Sequence, residues 1–199
     1  MKTLISILTL LIAFTANAQQ VSLSDLMKNT EATHEKVAGL RNYRVVIPGV
    51  LYRGGNLSGG QLPLNETGLK SLADKGFSAA VYMYPYSWEK RPTATHGVEY
   101  TNFGPDTRSR PHVKKFLTKV KDIIENKKGP MYVHCWNGWH ASGEMASYAL
   151  IQFCGMTPQQ AQAYWFANVP NGKILRIQKF QLFDDLKISA EDASRICPR

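Results

Sequence analysis

The sequence predicts an α/β layered domain with a mostly parallel central sheet flanked by helices. Two observations carry this. Short apolar, β-branched segments alternate along the chain with longer segments of helical period. The segment 77–86, "FSAAVYMYPY", is apolar on both faces, as a strand covered by helices on either side must be.

The elements follow in order. Residues 22–37 read as a short helix capped at Ser22 or Ser24. "GVLYRGGNLSGGQLP" gives a short strand and a glycine-rich loop, and its RGGNLSGG portion reads as a flexible turn because it lacks the lysine and spacing of a nucleotide-binding loop. Asn65 opens a helix that Gly76 stops. "GVEYTNF" is a further short strand. In segment 110–129, Val113, Phe116, Leu117, Val120, Ile123 and Ile124 fall on one helical face. "PMYVHC" is a strand, and "SGEMASYALIQFCG" leaves the following loop as a helix with Met145, Ala149, Leu150 and Phe153 in its apolar stripe. Thr157, Pro158 and Gln160 start another helix with a cap, a first-turn proline and a reciprocal glutamine. A last helix is expected from about Lys173 to Leu186.

Composition bounds the function. The first residues, "MKTLISILTLLIAFTANAQQ", combine Lys2, an apolar run too short to span a bilayer, and the Ala16-Asn17-Ala18 pattern of a cleavage site. They predict a signal peptide over residues 1–18 and one exported domain over 19–199, periplasmic or secreted, with no membrane span. The formal net charge is +9. An exported chain without a nucleic-acid motif directs that charge to small anionic or phosphorylated partners, not to nucleic acid. The lysines at 114, 115, 119, 121, 127 and 128 read as a solvated helix face. Of the three cysteines, Cys154 and Cys197 either pair, leaving Cys135 free, or all three remain thiols.

The chemistry concentrates in "VHCWNGWHASG", residues 133–143. A strand ends at Cys135 and a helix opens near Ser142 and Gly143. A loop so placed aims several backbone N–H groups at one point, and the helix dipole adds positive potential. An anion should bind there, against Trp136, Asn137, Gly138, Trp139, His140, Ala141 and Gly143. The same field favours a thiolate nucleophile at the base of the loop, which is Cys135. Gly138 lets the backbone turn close to the ligand, and Ser142 can hydrogen-bond the thiolate.

These residues resemble the signature of the cysteine-dependent protein tyrosine and dual-specificity phosphatases: His-Cys, five residues, Arg, then Ser or Thr, often followed by Gly. His134, Cys135, Gly138, Ser142 and Gly143 match it in place. "GVLYRGGNLS", "GLKSLADKGFSAAVYM" and "NFGPDTRSRP" are similar to the entry strand, the helix with second strand, and the general-acid loop of small atypical dual-specificity phosphatases. The likeness covers roughly residues 45–170.

The resemblance implies a tyrosine-phosphatase-like fold and a phosphocysteine intermediate on Cys135. It implies Asp106 as general acid, His134 as support of the loop from below, and no metal or other cofactor. The substrate would be a phosphorylated small molecule, lipid or protein. Where the family has its arginine, this chain has Ala141. That arginine grips two phosphoryl oxygens with a planar fork. Its absence leaves three readings: a phosphatase with a substitute cation, a pseudophosphatase that binds an anion without turnover, or a soft-metal site at His134, Cys135 and His140. The candidate cations are His140, Arg53, Arg108 and Arg110. Asp106 is equally suited to a turn, and Trp136 and Trp139 are either aromatic walls of the loop mouth or packing residues. Tyr82, Tyr84 and Tyr86 read as one face of a strand's end.

Overall fold

A computed structural model describes residues 24, 26, 34–57, 60, 62–84, 94–103, 109–170, 177 and 180–198. Six strands form one sheet in the order β1-β2-β3-β6-β4-β5. They are β1 (His34–Glu35), β2 (Leu40–Ile47), β3 (Leu51–Asn56), β4 (Ala79–Tyr82), β5 (Glu99–Asn102) and β6 (Met131–Cys135). β3, β6, β4 and β5 run parallel to one another, whereas β1 and β2 add antiparallel at one edge.

The helices are α1 (Glu66–Asp74), α2 (Arg110–Glu125), α3 (Ala141–Cys154), α4 (Pro158–Ala167) and α5 (Ala190–Ile196). α1 covers one sheet face, packing Leu69 and Leu72 with Ala80, Tyr132 and Tyr43. α2, α3 and α4 cover the other in a larger core. Local sequence accounts for their ends. The Asn65 side chain accepts from Gly68 N at 2.9 Å and caps α1. Thr157 and Gln160 form both halves of a capping box on α4. The apolar stripe of α2 is buried as its period requires, and lysines 114, 119, 121 and 128 form surface ion pairs. α3 is buried from Ser142 to Phe153, which makes it the central helix of the molecule.

Three expectations are corrected or set aside. The helix expected over 173–186 does not form at 180–183. In its place stand a 3-10 turn at Asp184–Leu186 and α5 further on. The reason is Gln152: its side-chain amide donates to Phe183 O at 3.1 Å and its carbonyl accepts from Phe183 N at 2.9 Å, satisfying an extended backbone that inserts Phe183 into the core. The RGG of the supposed flexible turn lies within β3, which extends through Asn56. The signal peptide lies outside the described residues, as does most of the helix expected over 22–37, but its C-terminal end is overturned: His34–Glu35 is strand β1, drawn into the sheet by pairing with Tyr43 and Arg44 of β2.

Candidate active site

β6 delivers Cys135 to the start of the loop, and α3 begins at Ala141. Cys135 is 2 % exposed and is the free cysteine, because Cys154 and Cys197 form a disulfide. Its Sγ lies 3.4 Å from Ser142 Oγ, and that hydroxyl donates to Gly54 O at 3.3 Å. Ser142 is thus fixed between the thiol and the backbone of β3.

The loop is gripped on three sides. From β3, Asn56 N donates to Trp136 O at 3.0 Å, and Gly55 bridges to Asn137. Gly138 holds φ +78°, and a Cβ there would collide with the backbone of Gly54 and Gly55, so a side chain on Gly138 would meet both strain and backbone. From β2, Arg41 Nη1 donates to Asn137 Oδ1 at 2.8 Å, and Asn42 Nδ2 donates to Asn137 O at 2.8 Å. β2 shifts register between Arg41 and Arg44, and Asn42 stands there at φ 51°. This irregularity aims both side chains at the loop. From α4, the buried Trp165 donates its indole N–H to Trp139 O at 2.8 Å.

His134 leaves the strand on the face opposite Cys135. It is fully buried, stacks on Tyr82 at 4.8 Å, and shares a 2.9 Å hydrogen bond between Nε2 and Tyr100 Oη. Burial pushes its pKa from 6.5 down to about 3, with the Cys135 carbonyl opposing the shift. Its ring is neutral at physiological pH and supports the loop from beneath. Because it faces away from Cys135, and His140 is exposed at the helix start, the three do not converge on a common ligand. Among the described residues, no group of three or more His, Cys, Asp or Glu is placed to hold a metal ion.

The other candidates divide. Trp136 is 40 % exposed. Trp139 is half-buried and packs against the core. Ala141 is partly buried at the first position of α3. Gly143 is buried and faces inward, where an added Cβ would collide with Arg53 Nη1 and Trp165. Tyr82 is a stacking partner of His134, and Tyr84 packs edge-on against Tyr82. Arg110 is engaged elsewhere, lying 4.0 Å over the Phe183 ring and donating to Gln181 O at 3.0 Å. Asp106, Arg108 and Tyr86 lie outside the described residues.

Arg53 is fully buried, and its Nε, Nη1 and Nη2 have no hydrogen-bond partner among the described residues. Sequence reasoning passed over Arg41, Asn42, Tyr100 and Trp165. The available signal was faint: three polar residues in an otherwise apolar strand, and a tryptophan on the second helix after its acceptor.

Solved structures match this fold. The crystal structure of PTPMT1 aligns at 20% identity and TM-score 0.51, covering 67% of this chain and 86% of that one. The fold is protein tyrosine phosphatase-like. TpbA of P. aeruginosa aligns at 20% identity and TM-score 0.51 over 84% of this chain and 89% of that chain. The core catalytic domain of the PP-IP phosphatase SIW14 from S. cerevisiae, in complex with citrate, aligns at 12% identity and TM-score 0.50 over 80% and 85%. No family model and no curated protein matches the sequence.

Proposed function

We propose that the chain is an exported, cysteine-dependent phosphatase-like protein that hydrolyses a phosphate monoester. The observation that carries this is Cys135 Sγ held 3.4 Å from Ser142 Oγ at the base of a loop that opens a 14-residue helix. In the first step Cys135 Sγ attacks phosphorus, the ester P–O bond breaks, and the leaving oxygen takes a proton from Asp106. In the second, water attacks the phosphocysteine, its proton passes to the Asp106 carboxylate, and the S–P bond breaks to release phosphate. Ser142 stabilises the departing thiolate by turning its hydroxyl proton from Gly54 O to Cys135 Sγ, 3.4 Å away.

The substrate is a phosphorylated small molecule, lipid or protein, and Trp136 stands exposed at the loop mouth to stack on it. The Cys154–Cys197 disulfide supports export, since such bonds persist in oxidising compartments. A second reading rests on Ala141. If the family's arginine is what this position has lost, the loop holds an anion without the fork that stabilises the transition state.

Acid quenching after brief exposure to an aryl phosphate, followed by mapping of the labelled peptide, tests the covalent step. Phosphate is expected on Cys135. Absence of label on Cys135 in a protein that binds phosphate would favour the pseudophosphatase.

A further inference from the structure

Arg53 pairs in register with Val133, two residues before Cys135. Side chains two apart on a strand share a face, so Arg53 and Cys135 leave the sheet on the same side, beneath the first turn of α3. There the Arg53 guanidinium is pressed against Gly143, and its only described attraction is the Tyr164 ring, 5.3 Å from Cζ. A guanidinium carries five N–H donors and keeps its charge inside a protein. Burying one without acceptors is costly unless something at the site offsets it.

The neighbours deepen the imbalance. Arg44, the register partner of Arg53, is also buried, and its Nη1 is satisfied by Asn168 O and Oδ1, both at 2.9 Å. Burial first, then the like charge of Arg53, lowers the pKa of Arg44 to about 10. Neither arginine joins an ion pair among the described residues. Glu144, the buried carboxylate of the same helix turn, accepts from Tyr148 at 3.1 Å. Arg53 therefore stands buried behind the first turn of α3 with Arg44 beside it, while the residue opening the helix is an alanine.

We propose that Arg53 is a positioning residue for the anion: its buried guanidinium, behind the first turn of α3, supplies from the floor of the loop the positive charge that position 141 does not supply from its rim. This rests on reading the loop as a phosphate site. Gly143 is the enabling residue, because any side chain there would displace Arg53. The arrangement favours a bound phosphoryl group, without a fork on the phosphoryl oxygens.

The test uses the protein recovered after export, without reductant, so that iodoacetamide uptake reports on Cys135 alone. Inorganic phosphate is titrated against the alkylation rate, and thermal midpoints are read alongside. Arg53→Met is expected to raise the phosphate concentration for half-protection by roughly 10–100-fold while raising the thermal midpoint, since an unpaired buried charge has been removed. Arg53→Lys, which keeps charge without the planar donors, should fall between. Ala141→Arg in the Arg53→Met background should restore protection.

Protection in Arg53→Met equal to the unmodified protein, or a lowered midpoint with no change in phosphate binding, would overturn the inference and leave the phosphate-site reading standing. No protection of the unmodified protein by phosphate would defeat both.

Discussion

His134 shows how a single residue can carry support without chemistry. Its neutral ring fills a stack of Tyr82, Tyr100 and Tyr132 beneath the loop. Folding lowers its pKa from 6.5 to about 3. Between those values the unfolded chain binds a proton that the folded chain excludes. Stability from this residue is complete above pH 6.5 and is lost as pH falls towards 3, by at most about 1.4 kcal/mol per pH unit. Urea unfolding between pH 6.5 and about 5.5, above the range where most carboxylates titrate, should show this slope. His134→Gln should flatten it, and an unchanged slope would place the proton uptake elsewhere. Cys135, Ser142 and His134 were legible in the sequence because their spacing is local. Arg53 was legible only as one of four candidate cations, since the sequence does not show that its guanidinium ends up buried and without acceptors. Trp165 was not legible at all: its acceptor, Trp139 O, lies 26 residues away.

Among the elements, those with end signals were read from sequence alone. Asn65, Thr157 with Gln160, and Gly76 at φ 78° mark helix termini that the structure shows. The stripe of α2 and the strand before Cys135 were equally plain. β2 was missed because Arg41, Asn42 and Arg44 interrupt its apolar pattern. Those residues are polar for a tertiary reason: two hold Asn137 and one pairs with Asn168. The helix expected over 173–186 failed for the opposite reason. In its described part Ile177, Phe183 and Leu186 are buried while Leu182 is exposed, and Gln152 of α3 supplies the backbone partners of Phe183 and makes the extended path acceptable there. In both cases a side chain distant in sequence overrode the local pattern.

For the whole molecule, the alternation of strands and helices gave the layered class, but not the strand order, which depends on long-range pairing. The C-terminal tail was uninformative until Cys197 was seen joined to Cys154, with Cα atoms 5.4 Å apart. This bond ties the end of α3, the helix that carries the loop, to the end of α5. Closing a chain separation of 43 residues is worth up to about 4 kcal/mol in the chain-entropy model. Reduction should therefore lower the urea midpoint, with a loss of about 2–4 kcal/mol, and a midpoint indifferent to reductant would show that the bond adds nothing to stability. Reduction leaves the contacts of Cys135 with Ser142 in place, so the loop's chemistry can be assayed in the same buffer.

The central claim, that this loop performs Cys135-dependent phosphate transfer despite Ala141, is met most directly by phosphate release from a simple aryl phosphate under reductant, with Cys135→Ser and Ala141→Arg beside the unmodified chain. The account predicts slow release that disappears in Cys135→Ser and rises in Ala141→Arg, by up to roughly 10²–10³-fold, as a preorganised donor is added. Release that persists undiminished in Cys135→Ser would contradict it.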